Sequence, residues 1–108
     1  MLTLTRVADQ AADWGPIPTD WFDAVPAASD YTTGGYNITP ASVGLRLINT
    51  IMLMATQLVA GGALTTFYEA VWNPNTGNLQ FYQAYNTEVA NGTDLSAYKF
   101  RLLVIGQR

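Results

Sequence analysis

Between Leu64 and Tyr85 two runs of β-branched and aromatic residues flank a turn, and this unit constrains the fold more than any other part of the chain. The first run is Thr65-Thr66-Phe67-Tyr68-Glu69-Ala70-Val71-Trp72, and the second is Leu79-Gln80-Phe81-Tyr82-Gln83-Ala84-Tyr85. Such side chains suit a pleated, half-buried surface and lose rotamer freedom in a helix. Between them, Asn73-Pro74-Asn75-Thr76-Gly77-Asn78 combines a fixed φ at proline, freedom at glycine and asparagines that tolerate left-handed backbone. The reading is a β-hairpin.

Neighbouring segments extend the same reading. Leu2 and Leu4 alternate with threonines, which predicts a short strand through about Ala8. Asp9 to Pro18 contains Gly15-Pro16-Ile17-Pro18, whose prolines remove backbone donors, so an irregular arm is expected there. Trp21-Phe22-Asp23-Ala24-Val25 reads as a strand ended by Pro26, and Ser29 to Pro40 is rich in turn residues. Thr39 stands as an N-cap with Pro40 at the first helical position, predicting one helical turn to Val43 that stops at Gly44. Leu45 to Val59 fits two templates. Leu45, Ile48, Met52, Ala55 and Val59 share a helical face, whereas Leu45, Leu47, Ile51, Leu53 and Ala55 share a strand face broken at Asn49. Its β-branched residues and the following Gly61-Gly62 favour a long strand. After a turn over Asn91 to Ser96, Tyr98 to Ile105 carries Phe100, Leu102 and Val104 on one face and Lys99, Arg101, Leu103 and Ile105 on the other. Apolar residues on both faces predict a central position in a sheet. The expected fold is all-β and mainly antiparallel, a β-sandwich or jelly-roll-like small domain with an irregular N-terminal arm and one short helical turn. Residues 1–28 form the strand and acidic, proline-rich arm, residues 29–108 the β domain, and together they make a single domain.

Composition narrows the chemistry. The 108 residues include no cysteine and no histidine, which removes thiol nucleophiles, thiolate metal sites and the usual general base near neutral pH. Eight carboxylates remain, none in a calcium-loop spacing, and no glycine loop matches a phosphate-binding pattern. Asp20 and Asp23 resemble a glycosidase pair only in being two acids three residues apart, a spacing common by chance. No enzyme activity, cofactor or metal is expected. The net charge is −3 and 12% of residues are charged, without the basic stripe of a nucleic-acid binder. The apolar stretch from Leu45 to Leu64 is interrupted by Arg46, Asn49, Thr50, Thr56 and Gln57, so no membrane span of about 18–20 residues is expected. Met1-Leu2-Thr3-Leu4-Thr5-Arg6 lacks the zones of a secretion signal, so folding in the compartment of synthesis is expected. Asn37-Ile38-Thr39 and Asn91-Gly92-Thr93 are accordingly read as turn chemistry.

A chain this short buries only about two-thirds of the surface its unfolded form exposes, and assembly is one remedy. Phe67, Trp72 and Phe81 are expected in the core, although exposed aromatics would also suit a sugar ring. Trp14 and Trp21 flank the proline-rich stretch, where large aromatics are expected to dock onto the domain or a neighbour. Residues 1–30 hold five aspartates against Arg6, a net of −4, and residues 31–108 carry a net of +1. That asymmetry suits either head-to-tail association or simple solvation of a loop. The candidate contact residues are Trp14, Ile17, Trp21 and Phe22, with Arg46, Lys99 and Arg101 as charged partners.

The order of motifs also carries a resemblance. Asp30-Tyr31-Thr32-Thr33-Gly34-Gly35-Tyr36 leads into Ile38-Thr39-Pro40-Ala41-Ser42-Val43-Gly44-Leu45. The hairpin end Asn75-Thr76-Gly77-Asn78-Leu79-Gln80-Phe81-Tyr82 follows, then Gly92-Thr93-Asp94-Leu95-Ser96 and the closing Arg101-Leu102-Leu103-Val104-Ile105-Gly106. Over about residues 29–106 this resembles small virion structural proteins of tailed bacteriophages; residues 1–28 lie outside the pattern. The resemblance implies a capsid decoration, or cement, protein made in the host cytoplasm and held on the outside of the head. Its partners would be the major capsid protein and itself, as a homotrimer, with no nucleic acid and no membrane. The alternatives are a carbohydrate-binding module of a tail or fibre and a connector or tail-tube component.

Overall fold

The computed structural model describes residues 1–7, 12–14, 17–64, 66–84 and 86–108. Its strands are β1 (Leu2–Arg6), β2 (Ala12–Trp14), β3 (Ile17–Pro26), β4 (Tyr36–Asn37), β5 (Leu47–Leu58), β6 (Glu69–Asn73), β7 (Asn78–Ala84), β8 (Thr87–Glu88) and β9 (Tyr98–Gln107), with a single 3-10 turn over Pro40–Val43. All pairings are antiparallel, in the order β1-β3-β9-β5-β6-β7-β4, with β2 alongside β3 and β8 alongside β7. The fold is thus all-β, as composition and turn spacing predict.

The final strand sits in the middle of the sheet, between β3 and β5. Phe100 and Leu102 are completely buried and Val104 is nearly so, because alternate residues of β9 point to one face. The sheet curls over that face. Phe81 on β7 lies 4.6 Å from Phe100, ring centre to ring centre, although two strands separate β7 from β9 in the sheet. The core so enclosed takes Phe22 and Ala24 from β3, Ile48 and Ile51 from β5, Leu79 and Phe81 from β7, and Tyr31, Val43, Val89 and Leu95 from the connections. The N-terminal strands therefore belong to the same core as the rest of the chain.

Two ladder irregularities in β5 explain why its sequence fits two templates. Pairing with β9 slips between Ile48 and Thr50 and again between Leu53 and Ala55. Each slip is a β-bulge, which adds a residue to one strand and resets its face. Inward residues are consequently spaced by three across the bulge, as at Ile48 and Ile51, imitating a helical interval. Leu47 lies outward and is exposed.

The helical turn forms as its cap predicts: Thr39 Oγ1 accepts from the Ser42 N–H, and Gly44 closes it in left-handed backbone at φ +73°. The turn before it is pinned by Gly35, where an added Cβ would stand 2.4 Å from the Leu79 carbonyl oxygen. Tyr31 clasps this region to β7 and β8. Its hydroxyl donates to Glu88 Oε2 at 2.5 Å and accepts from the Phe81 N–H at 3.1 Å, while the Gly34 N–H donates to the same carboxylate oxygen at 2.8 Å.

Two expectations are corrected. The stretch from Asp9 to Pro18 is not irregular where described: Ala12–Trp14 pairs with Ile17–Thr19, so β3 begins well before Trp21. Pro18 comes one residue before the β3–β9 ladder begins at Thr19, so β3 is paired on one side only there, a position that tolerates proline. In the hairpin, β6 starts only at Glu69, and Phe67 is 71% exposed instead of filling the core. β6 meets β5 at one residue pair, Met52 with Val71, so residues before Glu69 have left the sheet.

Candidate interaction surface

Antiparallel partners project from the same face of a sheet. The register sets Trp21 opposite Leu103, Leu103 opposite Met52, and Met52 opposite Val71. These four side chains form one apolar row across β3, β9, β5 and β6 on the face turned away from the core. Leu103 is only 5% exposed because Trp21 and Met52 flank it, whereas Met52 and Val71 keep nearly half of their surface in solvent.

One step along the strands the chemistry turns polar. Asp23 on β3 faces Arg101 on β9, and the guanidinium donates two hydrogen bonds to it, Nε to Oδ1 at 2.9 Å and Nη2 to Oδ2 at 3.1 Å. This bidentate bond holds the Asp23 carboxyl below the usual carboxylate range, with the charges of Arg101 and Lys99 acting the same way against partial desolvation. Lys99 is opposite Gln57, and Asp23, Ala55, Gln57, Lys99 and Arg101 line a depression of about 50 Å³.

The sequence-derived candidates separate under this geometry. Trp21, Lys99 and Arg101 lie together on the outer face. Arg46 is at the far end of the β5–β9 ladder, donating to the Arg108 carbonyl and to Gln107 Oε1. Phe22 is corrected as a contact residue: one position from Trp21, it faces the core at 4% exposure. The side chains of Trp14 and Ile17 lie outside the described residues. Asp20 and Asp23, three apart on a strand of period two, point to opposite faces and share no site. Asp20 is buried against Arg6, whose guanidinium also sits 5.3 Å over the Phe22 ring.

Reading the sequence missed Met52, Leu103 and Val71. Their signal is the absence of any charge from Leu47 to Tyr68, together with apolar residues on both faces of β9. Among the described residues, no three His, Cys, Asp or Glu side chains gather as a metal ion would need. Comparison with protein-family models, with curated proteins and with solved structures finds no match.

Proposed function

We propose that this chain is a non-enzymatic decoration protein of a tailed-phage capsid, bound to the outside of the head as a homotrimer and bridging major capsid subunits. The observation that carries the reading is the outer-face row Trp21–Leu103–Met52–Val71, an apolar strip on a sheet, bordered by Lys99 and the Asp23–Arg101 pair. A half-buried aromatic flanked by an arginine matches the composition of interface anchors. The resemblance over residues 29–106 supplies the kind of partner. Many copies touching several subunits each need only modest affinity, since linked contacts add through effective concentration.

The carbohydrate reading has less support. Among the aromatic side chains described, Phe67 alone is largely exposed, and a sugar platform calls for several coplanar rings.

The test is co-sedimentation of the purified chain with heads assembled from the major capsid protein of the same virus without decoration. Saturable binding that Trp21→Ala weakens, with the circular dichroism spectrum preserved, is the expected result. No binding by the folded wild-type chain would remove the capsid reading.

A further inference from the structure

Among the described residues, the strand β5 is paired along its length on one side only. From Ala55 to Leu58 it bonds to β9, while on its other side β6 joins at Met52 and then diverges. The splayed gap leaves a row of main-chain donors and acceptors open to water, and a template on which another β-strand or extended segment can pair. Large apolar side chains are exposed on the segments that bound it: Met52 and Met54 on β5, Val59 and Phe67 in the connection, and Val71 on β6. Lone apolar residues on a surface are ordinary, but several exposed on the two strands that bound an open edge suit an interface.

Charge selects the occupant. No residue from Leu47 to Tyr68 is charged, so two copies of a chain with net charge −3 can meet here without repulsion between like groups. At the margins, Lys99 stands beside Gln57 on the β5 side and Glu69 opens β6 on the other. A neighbour docked head to tail sets Glu69 of one copy against Lys99 of the next. We propose that the gap between β5 and β6 is where copies of this chain join, with the open edge of β5 around Met54 in one copy packed against Phe67 and Glu69 of the next. A head-to-tail contact closes into a ring when its rotation permits; the number three rests on the capsid reading, but the contact does not.

The experiment is sedimentation equilibrium over a dilution series, using the full chain. The wild type is expected at a multiple of 11.8 kDa. Met54→Lys places a charge on the open edge and is expected to raise the dissociation midpoint at least about tenfold. Thr3→Lys adds the same charge on exposed β1 and is expected to leave it unchanged. Glu69→Lys is expected to weaken assembly and the double variant with Lys99→Glu to restore it, a rescue that mere loss of folding cannot mimic. A single-chain mass for the wild type at every concentration, or an unchanged midpoint in a folded Met54→Lys variant, would overturn the proposal. Assembly that dissolves as described in a protein that ignores capsids would leave this interface standing and remove only the capsid reading.

Discussion

The Tyr31 hydroxyl is placed where one oxygen serves two elements. It accepts from the Phe81 N–H, deep beside the core, and donates to Glu88, so its removal orphans a buried backbone donor. Such a group costs about 1–3 kcal/mol when left unpaired. Tyr31→Phe is therefore expected to lower unfolding stability by about that much, measured by urea titration, although the ring and its edge-on packing against Tyr36 and Phe81 remain. Tyr36 makes a related prediction about pH. Burial first, then the neighbouring Tyr31 and Asp94, push its hydroxyl up to about 12, and Tyr31 is raised by burial and by Glu88. Because an unfolded tyrosine ionises near about pH 10, the native state holds these protons more tightly. The resulting stability is fully present below about pH 10 and is lost as pH rises through about 12. Ionisation of Tyr31 and Tyr36 and loss of circular dichroism should thus appear together in that window. Full ionisation near pH 10 in a protein that stays folded would contradict the assignment.

Alternation within a strand makes neighbouring residues unequal. Ile51 is 4% exposed and Met52 is 48% exposed, on opposite faces of β5. Ile51→Ala should cost about 2–5 kcal/mol through the cavity it leaves, whereas Met52→Ala in the dissociated chain should cost clearly less, since nearly half of Met52 is already in solvent; equal losses would mean that the register is different. The hairpin, the capped turn at Thr39–Gly44 and the central placement of β9 were legible in the sequence because each rests on local chemistry: turn residues, a cap, and apolar residues on both faces. The bulges of β5 were hidden, since a bulge depends on the partner strand and leaves only a mixed period behind. Phe67 was misplaced for a like reason. Its run looks uniformly strand-forming, but the point where β6 parts from β5 is decided by the curl of the sheet. Of the candidate surface, the charged residues could be named from sequence, whereas the row joining Trp21 to Val71 exists only once the register of four strands is known.

At the scale of the molecule, stability is concentrated in one strand. β9 pairs along most of its length with β5 and over six residues with β3, and it supplies Phe100, Leu102 and Val104 to the core. Amide hydrogen exchange should be slowest in β9 and the facing parts of β3 and β5, and fastest in the short edge strand β4 and in residues 62–64 and 66–68 of the connection between β5 and β6. Fast exchange in β9 with protection retained elsewhere would show that the sheet does not depend on it.

That placement has a consequence for biosynthesis. A ribosome delivers β1 through β8 before the strand that joins β3 to β5 exists, so each half of the sheet can pair early but the two cannot be joined until β9 emerges. The nascent chain must wait for Gln107 to clear the exit tunnel before its halves can be stitched together, and until then the uncharged stretch from Leu47 to Tyr68 is on offer to chaperones and to neighbouring nascent chains. The shared core closes only when β9 lies between β3 and β5.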